Sequence, residues 1–350
     1  MSSQPLRSHP LPRRKKLLFA LLPLLAVTLL AEVIARVLRA PLHFGSFREL
    51  RVDQVRRGYP AEHHARLGYV PRAGFSASDN HWGTRVTIDA EGFRSNGAGV
   101  PVGRTIVAVG DSFTFGDQVN DHETWPAHLE RVLHQRVRNG GVFGYSLAQA
   151  ILRAEDAVER FGAEWIVVSL IEDDITRCEL AKRYAPLPWF AVVDGALELR
   201  NVPVRDTSDP SELRQRRFKD FLGHSALLDA VLSNVCQQWW IVDQKEVRAH
   251  PHGAGEAIAL LLVDRMAAFG RAHDCKVMFV LQGEVTTPSA DAVLARARAR
   301  GLATVDLVAA YRDEAARDPA TKRRLFAGHM TSAGNAWAAE HIAAVIRASK

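Results

Sequence analysis

A chain of 350 residues with 47% apolar and 24% charged side chains has the composition of a globular protein with ample core, which excludes a disordered one. The formal charge of +6 is modest, and part of it sits in Arg13, Arg14, Lys15 and Lys16. The other arginines are scattered without interleaved aromatics, so the basic balance is not that of a nucleic-acid-binding protein. Cys178, Cys236 and Cys275 lie far apart with no CxxC pair, which signals neither a zinc site nor a disulfide framework and calls for no cofactor.

The chain opens on a polar stretch and the basic cluster Arg13–Lys16, then runs apolar from Leu17 to Ala31 except for Thr28. Apolar character continues to Leu38, interrupted by Glu32 and Arg36, whose i, i+4 spacing allows them to pair near an interface. As a helix, Leu17–Leu38 is about 33 Å long, enough to cross the hydrocarbon core of a bilayer. A cleaved signal peptide would end in a small-x-small site, and no clean Ala-x-Ala follows the run, so an uncleaved signal anchor is the expectation. With the basic cluster preceding it, residues 1–16 would stay cytoplasmic and the body would lie outside, in the periplasm. A buried amphipathic helix is the soluble alternative, and the unbroken run argues against it.

Residues 39–103 read as a β-rich preface to the body that follows. Leu67–Pro71 and Trp82–Ile88 are β-like pieces, the second ending in the turn signal Asp89-Ala90-Glu91-Gly92. Arg94 follows in Gly92-Phe93-Arg94, either within reach of an anionic substrate or, more commonly for such a position, packing the fold.

From residue 104 to 350 strands and helices alternate. Ile106–Val109, a strand near Val137, Trp165–Ile171, Lys276–Leu281 and Ala303–Leu307 are the strands. The helices are 124–135 behind a Thr124 cap, 148–161, 255–272 and 332–348. This grammar predicts an α/β fold: a doubly wound parallel sheet with helices on both faces, a three-layer sandwich. An insertion at about 178–254 interrupts it. It holds a hairpin signal at Asp194-Gly195, a charged stretch from Asp206 to Asp220, and Trp239-Trp240 in a following helix. The tryptophans are suited to stacking on a sugar, and equally to core or membrane-proximal packing.

Four segments fall after strands or before the last helix, where ligands bind in such sheets. Ser112, in Gly110-Asp111-Ser112, ends the first strand. Gly144 lies in the loop after the second, Glu172-Asp173-Asp174 after the third, and His329 just before the last helix. A serine needs a base to take its proton, and a histidine is the usual one at neutral pH. An oxyanion needs donors aimed at it, commonly backbone N–H groups. A strand followed by an ordinary turn is the alternative reading of the first segment alone.

Together, Gly110-Asp111-Ser112 with Gly116, the Asn139…Gly144 loop, the acidic pair after strand three and Gly328-His329-Met330-Thr331…Gly334 resemble the SGNH (GDSL-type) esterase and acylhydrolase superfamily. The preface and the anchor resemble a membrane-anchored bacterial branch of it. The resemblance implies a flavodoxin-like sandwich, Ser112 as nucleophile, His329 as general base, and an oxyanion hole from the N–H groups of Ser112 and Gly144. Two positions depart from the family pattern. Asp173 stands where the family has an oxyanion Asn, and a carboxylate there repels a developing oxyanion. Ala327 and Phe326 stand where the family has an Asp that orients the histidine, leaving Asp306 and Asp318 as distant substitutes.

The function so implied is a serine hydrolase or O-acyltransferase acting on a carboxylic ester through an acyl-enzyme on Ser112. Acetyl groups of an envelope polysaccharide are the expected substrate class, and the membrane, met through residues 17–38, the expected partner. The alternative is a catalytically weakened SGNH-fold protein that binds or positions glycan in an envelope assembly.

Overall fold

The computed structural model describes residues 12–39, 43–51, 60–78, 83–97, 103–183, 185–206, 217–236, 239–240 and 246–349. It opens with helix α1 (Arg13–Arg39). Strand β1 (Ile106–Val109) leads into the short helix α2 (Ser112–Phe115) and then α3 (Trp125–Leu133). Strand β2 (Val137–Asn139), helix α4 (Leu147–Phe161), strand β3 (Trp165–Leu170) and helix α5 (Glu172–Thr176) follow. Two more helices, α6 (Arg217–Leu222) and α7 (Ala226–Val235), precede α8 (Gly255–Ala272). The chain ends with strand β4 (Lys276–Leu281), helix α9 (Pro288–Ala299), strand β5 (Ala303–Asp306) and helices α10 (Leu307–Arg317) and α11 (Ser332–Ala348).

Packing divides the chain into two compact units, residues 1–54 with 210–244 and residues 55–209 with 245–350. This differs from the boundaries expected from sequence. The preface from residue 55 is part of the α/β unit, because its polar groups are satisfied there. Tyr69 donates to the Phe143 carbonyl at 2.9 Å and Gln149 to that of Leu67 at 2.8 Å. The expected insertion is also split. The hairpin of Trp189–Val193 and Ala196–Arg200 stays with the α/β unit, with Asp194 and Gly195 at positive φ in its turn. Only 210–244 join the N-terminal helix. Residues 207–216 of the charged stretch, and Trp82 of the expected preface strand, lie outside the described residues.

In the α/β unit the five strands form one sheet of order β5-β4-β3-β1-β2, every neighbouring pair parallel. In sequence terms this is 2-1-3-4-5, a doubly wound sheet whose order reverses between β1 and β3. The inner strands β1, β3 and β4 are buried on both faces, so alternate residues serve two cores. Val107, Val109, Ile166, Val168 and Phe279 pack with α4, α8 and α9. Ile106, Ala108, Val167, Met278 and Val280 pack with Trp125 and Leu129 of α3 and with Ala338, Ile342 and Ile346 of α11. Helix starts are set by side-chain caps: Thr124 accepts from Ala127 N–H, Ser146 from Gln149 N–H and Thr331 from Gly334 N–H.

The other unit is held by polar contacts. Glu32 of α1 caps α7, accepting from the N–H groups of Ala226 and Leu227 at 3.0 and 2.9 Å and from the Ser225 hydroxyl at 2.7 Å. Buried Asp229 accepts from Arg39, from Arg51 at 3.2 Å and from Trp240 Nε1 at 2.7 Å. The tryptophan pair lies beyond the end of α7, in a short π-helical turn, with Trp240 buried and Trp239 half exposed. Leu21–Arg39 of α1 is long and apolar enough to cross a membrane, with mean hydropathy 2.2 and none of it buried.

Candidate active site

The reversal of strand order places the ends of β1 and β3 side by side, and the polar residues that follow them converge there. Gly110 ends β1, and Asp111 caps α2 by accepting from Phe113 N–H at 2.9 Å. Ser112 is thus the first helical residue. Its N–H and that of Gly144, a glycine at φ 72°, have no acceptor among the described residues. The loop after β2 is tied to this corner by Val142 N–H donating to the Gly110 carbonyl at 3.0 Å.

His329 reaches the same corner from the far end of the sequence. Phe326–Ala327 and His329–Met330 form a two-stranded hairpin turning at Gly328. Thr331 then starts α11, and buried Asn335 fastens the segment. Its Oδ1 accepts from Trp125 N–H at 2.8 Å, and its Nδ2 donates to the carbonyls of Met330 and Thr331 at 3.2 and 2.9 Å. The outcome is Ser112 Oγ 2.8 Å from His329 Nε2, with the Phe113 ring 4.9 Å from the imidazole, centre to centre. A hydroxyl so placed can pass its proton to the imidazole as it attacks.

A carboxylate from elsewhere in the chain faces His329. Asp117 Oδ1 lies 3.8 Å from His329 Nδ1; both atoms are buried, and neither has a hydrogen-bond partner among the described residues. Sequence reasoning missed Asp117 because it is five residues after Ser112, not before the histidine. Gly116 folds it back: at φ 77° it closes α2, its N–H donating to the Ser112 carbonyl at 2.8 Å. A Cβ at Gly116 would come within 2.7 Å of Thr124 Cγ2, so space as well as conformation requires glycine. Gln118 adds a second link, its Oε1 accepting from His329 N–H at 3.3 Å. Asp306 and Asp318 are not substitutes: each caps a local turn, accepting from Ala309 and Ala320 N–H at 2.9 Å. Phe326 packs edge-on against Tyr311 in the core, where a carboxylate would be unpaired.

Arg94 supports this loop and does not face a ligand. It is buried, and its guanidinium donates to the carbonyls of Phe115 (2.7 Å), Gly116, Val119 (2.7 Å) and Arg85 (3.1 Å) and to Asp121 (3.2 Å). The preface thereby braces residues 115–121, which carry Asp117.

Asp173 is not aimed inward as an oxyanion donor. It sits in the first turn of α5, exposed, and pairs with Arg177 four residues on at 3.1 Å. Arg177, which sequence reasoning passed over, links three strand ends. Its Nη1 donates to Asp174 at 2.6 Å, to the Tyr145 carbonyl at 3.1 Å and to Asp111 at 3.4 Å. Burial alone would lower its pKa, but the carboxylates of Asp174, Asp111 and Asp173 more than offset this and raise it. Buried Asp174 is pushed up by burial and by the Asp111 charge, with Arg177 opposing. Asp117 is pushed up to about 6, chiefly by burial, with the Asp111 charge adding and His329 and Arg94 opposing.

Among the described residues no cluster of His, Cys, Asp and Glu is arranged to hold a metal ion. No protein-family model matches the sequence, and no curated protein matches it. Solved structures similar to it include a protein of the G-D-S-L lipolytic family from Desulfitobacterium hafniense, with 13% identity over 69% of this chain and 99% of that one and a TM-score of 0.38. An acetyl xylan esterase from Geobacillus stearothermophilus has 13% identity, coverages of 71% and 96%, and a TM-score of 0.38. For a GDSL-like lipase from Bacteroides thetaiotaomicron the values are 13%, 73%, 92% and 0.34. Many of the solved structures that this chain resembles are lipolytic and esterase proteins of the GDSL/SGNH type.

Proposed function

We propose that this protein is a serine esterase or acyltransferase of the SGNH type, anchored in the membrane by α1, whose orienting acid is Asp117. The observation that carries the reading is the line Ser112 Oγ–His329 Nε2, 2.8 Å, and His329 Nδ1–Asp117 Oδ1, 3.8 Å. In the first step the Ser112 hydroxyl oxygen attacks the ester carbonyl carbon while its proton passes to His329 Nε2. The carbonyl electron pair moves onto oxygen, where the N–H groups of Ser112 and Gly144 receive the charge. The imidazolium, held by Asp117, then gives its proton to the departing alkoxide, leaving the acyl group on Ser112. Water, or a sugar hydroxyl in the transferase case, is deprotonated by the same nitrogen and removes the acyl group.

With α1 as a signal anchor and the basic cluster before it, the α/β unit would work outside the cytoplasmic membrane, on acetyl esters of an envelope polysaccharide. Asp173, engaged by Arg177, supports the second reading of a glycan-binding protein that turns nothing over. One experiment separates them: the full chain in detergent is treated with a fluorophosphonate probe and with p-nitrophenyl acetate, beside Ser112→Ala. The esterase reading expects prompt labelling and turnover that the variant lacks. Equal rates for both chains would reject it, and no labelling with retained polysaccharide binding would establish the second.

A further inference from the structure

Helices α6 and α7 are inside out for a protein surface facing water. Along α7, Ala226, Asp229 and Ser233 are buried, spaced i, i+3, i+7, while Leu228, Val231 and Val235 on the opposite face are exposed, Val235 to 78%. Along α6, Lys219 is buried while Phe218 and Phe221 are exposed, Phe221 to 74%. The polar groups turned inward are all engaged. Asp229 holds Arg39, Arg51 and Trp240, Asp220 holds Arg48, and Lys219 donates to the Trp239 carbonyl at 2.7 Å. A helix that pairs its charges internally and shows its apolar face outward is arranged for a surrounding that cannot hydrogen-bond.

α1 shows what that surrounding is. Its Glu32, Arg36 and Arg39, spaced i, i+4, i+7, face α7 and the turn before it, Arg36 donating to the His224 carbonyl. Leu29, Leu30, Val33, Ile34 and Val37 remain exposed on the rest of its surface. Glu32 lies within the apolar span, about 10 Å of helical rise before Arg39, so the start of α7 sits at that depth. At 10 residues α7 is too short to span a bilayer.

We infer that α6 and α7 are embedded in the outer leaflet of the lipid bilayer beside the end of α1. Phe218, Phe221, Leu228, Val231, Val235 and Trp239 face acyl chains and the glycerol region. The unit is a monotopic clamp that adds to the single span and gives intramembrane Glu32 its partners. This rests on the reading of α1 as a membrane anchor.

The test labels the full chain with the fluorophore NBD at single cysteines, with Cys236 and Cys275 replaced by Ser and buried Cys178 retained. Phe221→Cys reports α6, Val235→Cys reports α7, Leu25→Cys reports the anchor and Glu340→Cys a water-exposed site. In phosphatidylcholine vesicles, the inference expects the α6 and α7 probes to be quenched by doxyl-labelled lipid and shielded from aqueous iodide, as at Leu25. Iodide quenching equal to that at Glu340 overturns it while the anchor stands. Shielding from iodide without quenching by doxyl lipid also overturns it, in favour of a second copy of the chain on this surface. Loss of lipid quenching at Leu25 overturns the anchor reading, and the inference falls with it. Reading two helices separately keeps one misfolded variant from deciding the result.

Discussion

Asp117 stands 3.8 Å from His329 Nδ1, on the ring nitrogen opposite the one that meets Ser112. Two buried polar atoms without other partners among the described residues face each other there, and less than about 1 Å of approach would bring them to hydrogen-bond length. Asp117→Asn is therefore expected to lower kcat by about two to four orders of magnitude with little change in KM, as loss of the acid does in other serine triads. Asp306→Asn and Asp318→Asn are expected to leave kcat unchanged. Steady-state kinetics on an acetyl ester checks all three, and an Asp117→Asn enzyme with normal kcat removes Asp117 from the site.

The same residue shapes the pH dependence. Burial, assisted by the Asp111 charge, lifts the Asp117 carboxyl to about 6, so it gains its proton not far below neutrality. Protonated, it would no longer offset the imidazolium charge that the proposed mechanism develops at His329. On the proposed mechanism, the acid limb of kcat/KM then carries a contribution from the Asp117 carboxyl, which Asp117→Asn lacks. A plot of log kcat/KM against pH is expected to fall more steeply below about pH 6 in the parent than in Asp117→Asn. Equal slopes would count against a role for the Asp117 carboxyl.

Stability moves in the opposite direction from activity. The folded carboxyl titrates at about 6 against 3.8 when free, so between those values the folded state binds the proton and the unfolded state does not. Stability from this group therefore falls as pH rises from 3.8 to 6, and the full cost, at most about 3 kcal/mol, is present above pH 6. Asp117→Asn removes the ionisable group, and its unfolding midpoint at pH 7.5 is expected to exceed the parent's. The gain should shrink toward pH 4. Thermal melts across that range measure it.

Much of the fold could be read from the residues. The cap at Thr124 marks a helix start, and the apolar runs at 106–109, 165–170 and 276–281 are strands because both faces of the sheet are covered. Helices α9 and α10 escape that reading, since Ala- and Arg-rich segments carry little apolar periodicity. Ser112 and His329 are legible because each follows or precedes an element end with a glycine beside it. Asp117 is not, because its role depends on Gly116 reversing the chain. Nor is the meaning of Glu32 and Asp229, which lies in pairing across about 190 residues of sequence.

Asn335 makes a prediction about the histidine segment. One side chain serves three backbone groups, accepting from Trp125 and donating to Met330 and Thr331. Asn335→Asp keeps the acceptor and the shape but turns both donors into acceptors facing carbonyls. The loss is expected to be about 1–3 kcal/mol in stability, with a fall in kcat as His329 shifts from Ser112. Urea unfolding and kcat read the two effects separately, and unchanged values for both would refute the role of the clamp.

Arg94 is the longest-range support of the acid, and a conservative change tests it most cleanly. Its guanidinium fans out to four carbonyls and Asp121, three of the carbonyls belonging to residues 115, 116 and 119 on either side of Asp117. Arg94→Lys keeps the charge but offers one nitrogen in place of a planar fork, so several buried carbonyls lose their donor. The expected loss is about 3–5 kcal/mol of stability, as for breaking a buried charged network. Below the melting temperature the folded fraction should show a lower kcat at nearly unchanged KM, because the Asp117 loop loses its brace while the substrate-facing groups stay. A purely structural arginine predicts the stability loss alone. Correcting kcat for the fraction labelled by a fluorophosphonate probe separates these outcomes: a normal corrected kcat confines Arg94 to the fold, and a reduced one ties the preface to catalysis through Asp117.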